Sequence, residues 1–210
     1  MKLLPLVLSL FTAIAANCPA ATITVDGAGN RSLWEFASGK EAAAGSRISV
    51  GYFLGLTDNQ IVLNQHNTSY LQSKFVPFGL GGAVGDGVGG AAGYFTFETT
   101  ATVSGAGASF AAPSAPNNQI YIWAYNSPSS PALATQQAIF TSADPGWTWP
   151  ATDDVESFRT VSPDNNLILL VGASDSQAVY LQPMPEPGTC ALLIMSAVGF
   201  LGARRGGRRA

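Results

Sequence analysis

The side chains with chemistry to offer are few and scattered. Asp153, Asp154 and Glu156 place three carboxylates within four positions. Oxygen ligands so close in sequence suit Ca²⁺, a hard cation that secreted β-domains hold in loops. The competing reading is a solvated loop or a helix start, where carboxylates lie well against the N-terminal dipole. His66 is the single histidine, so any triad or His-bearing metal site would have to use it. It stands among Asn64, Gln65, Asn67 and Thr68, a polar loop, with neither cysteines nor spaced carboxylates to complete a zinc shell. A serine hydrolase would need a G-x-S-x-G elbow, and the chain has none. Glu35 and Glu98 are the two carboxylates a glycan hydrolase would set across a sheet, although no spacing specifies them. Gly85–Gly90 satisfies G-x-G-x-x-G, a dinucleotide fingerprint only when a strand precedes it and a helix follows. Here AAGYFTFETT follows, a strand pattern.

Trp147 and Trp149 stand two apart between Gly146 and Pro150. In an extended segment both rings share a side, and exposed rings of that kind pack on sugar faces, the chemistry of a carbohydrate-binding module. Tyr121, Trp123 and Tyr125 are further ring candidates. The other reading gives all of them to a core that has no disulfide to help it. None of these sets implies a cofactor, and none is expected.

The elements around these residues begin and end in delivery signals. Residues 1–21 carry one charge, Lys2, then an apolar run Leu3–Ala16 and small residues, the pattern of a secretory signal peptide. Ala13-Ile14-Ala15 fits the small-x-small cleavage rule, which implies the Sec translocon and signal peptidase as partners. Lipidation at Cys18 is the alternative, with Asn17 a poor predecessor. At the other end, Met184–Ala210 has three parts in order: Pro185-Glu186-Pro187, an uncharged apolar run Cys190–Ala203, and Arg204, Arg205, Arg208 and Arg209. The run of 14 residues spans on the order of 21 Å as a helix, short of a ~30 Å hydrocarbon core. It crosses only if the bilayer thins or the arginines snorkel. The positive-inside bias puts the arginines in the cytoplasm and everything before Pro185 outside. The prolines hold the approach to the helix stiff and extended.

This tripartite tail resembles the PEP-CTERM sorting signal of Gram-negative bacteria. Pro185, Glu186, Pro187 and Thr189 match its motif, with Met184, Gly188 and Cys190 in place of the usual Val, Ser and aromatic residue. The resemblance implies processing during export by an exosortase, a membrane enzyme, and transient inner-membrane anchoring by the helix 190–203. A looser likeness to uncharacterised secreted PEP-CTERM proteins lies in GYF at Gly51–Phe53, QIYIWAYN at Gln119–Asn126 and QAIFTS at Gln137–Ser142. It brings no activity.

Between the signals lies one domain, residues 22–182. Both cysteines, Cys18 and Cys190, fall outside it, so it has no disulfide despite an oxidising destination. Its length, about 160 residues, is enough to bury a stable core. Five basic side chains (Arg31, Lys40, Arg47, Lys74, Arg159) face 12 acidic ones, a net of −7. That balance disfavours nucleic acid and anionic membrane surfaces.

Alternation predicts strands at Thr22–Val25, Ser32–Ala37, Arg47–Leu54, Tyr94–Val103, Gln119–Tyr125 and Gln136–Thr141. Shorter strands are expected around Trp147–Trp149, Ser157–Val161, Leu167–Val171 and Ala178–Leu181. Thr57 and Asp58 are N-cap residues for a short helix or turn that continues to about Ser73. Lys40–Gly45 reads as a loop or short helix, and the Gly-rich stretch 79–93 as a long loop. The expectation is an all-β fold, an antiparallel β-sandwich or jelly-roll-like domain, between an N-terminal signal helix and a C-terminal transmembrane helix. The expected role is structural or adhesive, non-enzymatic, at the cell surface or in the extracellular polysaccharide (biofilm) matrix. The alternative is a carbohydrate-binding module, and behind it a secreted glycan hydrolase.

Overall fold

Strict alternation builds the first sheet. In β1 (Ala20–Asp26), Ala21, Ile23 and Val25 are fully buried, while Thr22 and Thr24 between them turn the other way. β1 is the middle of a three-stranded sheet. On one side it pairs antiparallel with β7 (Thr96–Thr102), Ile23 opposite Thr99, and on the other parallel with β10 (Phe158–Val161). Thr99 and Ala101 join the buried face, and the Thr22 and Thr100 hydroxyls meet at 3.1 Å on the outer one. The computed structural model describes residues 20–27, 31–35, 37–102, 109–111, 119–149, 158–163 and 166–184.

The second sheet has ten strands. Its main path runs β3 (Lys40–Glu41), β2 (Ser32–Glu35), β13 (Ala178–Pro183), β9 (Gln136–Ser142), β8 (Tyr121–Tyr125), β4 (Arg47–Phe53) and β5 (Phe75–Pro77). β6 (Gly82–Ala83) adds to β4, β11 (Leu167–Val171) to β9 and β12 (Ala173–Ser174) to β13. Every residue of β8 and β9 is buried, so this sheet is covered on both faces at its centre. Register sorts the faces: Val50, Ile122 and Phe140 stand in one row, Ser49, Trp123 and Ile139 in the next.

Behind the Trp123 face lie two short helices. α1 (Asp58–Leu63) starts as expected at Thr57, whose Oγ1 accepts from Gln60 N while Gln60 Oε1 accepts from Thr57 N, a reciprocal capping box. Six residues make too short a helix to persist on propensity; the burial of Ile61 holds it. The expected continuation to Ser73 is interrupted. Asn64 caps α1 by donating its side-chain amide to Gln60 O, and Asn67 starts α2 (Thr68–Lys74) by accepting from Tyr70 N.

Both sheets and both helices feed one buried apolar cluster, and the all-β expectation holds. Its antiparallel part needs correction at two places. β1·β10 and β2·β13 are parallel pairs, each joining the start of the domain to its end. A parallel neighbour needs a long connection, and here most of the domain supplies it. Smaller differences are local. Lys40–Glu41 is a strand, and the Gly-rich stretch contributes β6. Around Trp147 the chain makes a 3-10 turn, Pro145–Trp147, followed by a single bridge between Thr148 and Gln119. Ala20 and Ala21, the last two residues of the expected signal peptide, belong to β1, Ala21 fully buried; residues 1–19, the apolar segment 190–203 and the arginine cluster lie outside the described residues. Among the described residues no helix is long and apolar enough to cross a membrane.

Candidate functional site

The sites expected from sequence are dispersed by the fold. Glu35 lies on β2 of the large sheet and accepts from Ser38 Oγ at 3.1 Å, whereas Glu98 is exposed on β7 of the small one. The two carboxylates therefore do not face each other across a sheet, as the hydrolase reading required. His66 is exposed between α1 and α2 and lines a small recess of about 210 Å³ with Asn67, Thr68, Pro131 and Met184. Asp153, Asp154 and Glu156 lie outside the described residues, as do Pro185, Glu186, Pro187, Thr189 and the four arginines. Among the described residues no group of three or more His, Cys, Asp or Glu could hold a metal ion.

Trp147 and Trp149 are 2% and 5% exposed, so neither presents a flat face to solvent. Their burial bears out the reading that gives them to the core and corrects the alternative of a sugar-stacking pair. Trp149 lies against Phe78, Phe110 and Tyr52, ring centroids 5.3, 4.8 and 6.2 Å away, and its Nε1 donates to Gln119 O at 2.9 Å. Trp147 packs at 6.3 Å from Phe140. Trp123 is buried as well, its Nε1 donating to Gln137 Oε1 at 2.9 Å.

The Gly-rich loop binds itself. Ala83 N donates to Asp86 Oδ2, Gly85 N to Tyr94 O, Gly90 N to Gly85 O and Gly93 N to Ala42 O. These amides are spent within the fold and are not available to cradle a phosphate. Gly87 has φ +67° and its Cα presses on the Thr96 carbonyl, where a Cβ would clash.

What the fold does assemble is a cleft of about 620 Å³ where the start of α1 meets the ends of β8, β9 and β11. Tyr121 at the start of β8 and Gln119 two residues before it both line the cleft, and the pairing of Ile168 with Thr141 brings the β11 side chain alongside. Tyr121 donates its hydroxyl to Asp58 Oδ1 at 2.6 Å, tying β8 to α1. Burial, then the hydrogen bond to the Asp58 carboxylate and its charge, push the Tyr121 phenol well above its ordinary value. Gln119 Nε2 donates to Thr141 Oγ1, Ser142 O and Trp147 O at 2.7, 2.8 and 3.2 Å, which fixes the amide plane and leaves Oε1 as an acceptor that no other described residue engages. Leu56 and Ile168 supply the apolar wall.

Sequence reasoning read each of these residues for another purpose. Asp58 was legible as a helix-start residue and Tyr121 as one of a row of rings. Their meeting depends on the β4·β8 and β8·β9 registers, which no local pattern encodes. Compared with known proteins, the chain matches no family model, no curated protein and no solved structure.

Proposed function

We propose that this protein is exported from a Gram-negative cell and sorted by an exosortase acting on its C-terminal tail. It then resides at the cell surface or in the extracellular polysaccharide matrix. The observation that carries this reading is the order of parts in residues 184–210: a Pro-Glu-Pro motif, an uncharged apolar run too short for comfortable spanning, and four arginines. The resident role is structural or adhesive and non-enzymatic, played by a β-sandwich made of the two sheets around their shared core. A disulfide-free domain with a net charge of −7 over residues 22–182 suits an extracellular matrix, since like-charged copies repel and stay soluble.

The test is substitution in the tail followed by fractionation of the producing cells. Pro185→Ala with Pro187→Ala should leave the chain in the membrane fraction, while the unaltered chain reaches the surface or the medium. Identical distribution of the two would remove the sorting reading.

A further inference from the structure

We propose that the Asp58–Gln119–Ile168 cleft is a binding site for a neutral saccharide. The volume, about 620 Å³, lies within the roughly 300–1,000 Å³ of small-molecule sites. Its chemistry narrows the class. Among the described residues no lysine, arginine or histidine lines the cleft, so none of them pairs with phosphate, sulfate or uronate. At the α1 terminus Gln60 N is already taken by Thr57 Oγ1, and the Asp58 carboxylate in the first turn repels an anion.

What remains open is mostly acceptor. Asp58 Oδ1 accepts from Tyr121, and no other described residue bonds its second oxygen. Gln119 Oε1 likewise takes no bond from another described residue, and the exposed Asn59 amide offers both a donor and an acceptor. A fitting ligand therefore donates several hydrogen bonds at fixed spacing while laying C–H groups on Leu56 and Ile168. Sugar hydroxyls on a ring meet both demands. A cationic amine meets only the first, and would find one carboxylate whose charge is already shared with the Tyr121 hydroxyl. This site is distinct from the Trp147–Trp149 pair, and it stands apart from the export reading, since binding is measured on the purified chain.

The experiment uses the full chain in lauryldimethylamine oxide, titrated with cellotetraose, maltotetraose and chitotetraose, with trilysine as the cationic probe. Tryptophan emission is the readout, because Trp149 bonds the Gln119 carbonyl at the back of the cleft. At least one tetrasaccharide should give a saturable change with a Kd of about 1 mM or tighter. Asp58→Asn should weaken it about tenfold or more. Ile168→Trp, on an exposed strand position where no core must shift, should block it with the melting curve unchanged. If none of the three sugars gives a saturable change, if Ile168→Trp binds as the unaltered chain does, or if trilysine alone responds, the assignment is overturned. The export reading is untouched by any of these outcomes.

Discussion

Leu33 on β2 and Val179 on β13 stand opposite each other in a parallel pair, both fully enclosed, so the domain's beginning closes on its end. β13 lies between β2 and β9 and hands its strand order on to Met184, whose N–H donates to Thr135 O at 2.7 Å. The Pro-Glu-Pro motif follows at once. Among the described residues the strand order thus reaches to within two residues of Pro185, where the proposed sorting tail begins. A chain ending at Met184 should unfold thermally within a few degrees of the full one. A chain ending before Ala178 should lose its cooperative transition by circular dichroism, because β2, β9 and β12 would all lose a neighbour.

The Trp123–Gln137 bond sits inside the large sheet, and Gln137 Nε2 continues it to Gln65 O at 2.6 Å. Gln137→Leu would leave a buried indole N–H and a carbonyl without partners. We expect a loss of about 1–3 kcal/mol in denaturant unfolding. A cost near zero would mean that water replaces the amide.

How far the sequence discloses the fold can be judged from β8. Its alternation marks Gln119–Tyr125 as a strand with an aromatic side, and the structure has a strand over Tyr121–Tyr125, with Gln119 before it in a single bridge. Alternation cannot tell whether the second side is covered, and here both are. The same gap leaves Trp147 and Trp149 with two readings, core or sugar platform, and the packing against Phe78, Phe110 and Phe140 bears out the core. Thr57 was legible because a cap is a local arrangement. The two parallel pairs and the cleft were not, since each joins residues far apart along the chain. Trp149→Ala should therefore cost about 3–5 kcal/mol of stability before it affects any ligand.

Close approach makes Gly51 unreplaceable. On β4 its Cα faces the Val76 carbonyl and the Phe75 ring, and an added Cβ would clash with both. Gly51→Ala should lose about 1–3 kcal/mol by overpacking, read as a lower denaturant midpoint at unchanged slope.

Alkaline pH should find Tyr121. Its raised pKa means the folded state holds the phenolic proton more tightly than the unfolded chain does. That contribution is fully present below the ordinary value near 10 and is lost as pH climbs toward the folded value. Ultraviolet titration should show a tyrosine that ionises only as the chain unfolds, and Tyr121→Phe should remove that step. On the acid side, Asp175 is held below its ordinary value by the Gln177 N–H, then by the Tyr180 hydroxyl and the Ala178 N–H. Its contribution is present above the ordinary carboxylate value near 3.8 and disappears as pH falls through the lower, folded one.

The most direct test of the sorting proposal is the intact mass of the native protein, recovered separately from its own cells and from their medium. The account predicts a surface or released species ending near residues 185–189, without Arg204, Arg205, Arg208 and Arg209. A membrane-bound species that still carries Arg208 and Arg209, with no shorter form elsewhere, would contradict it and make the tail a plain anchor.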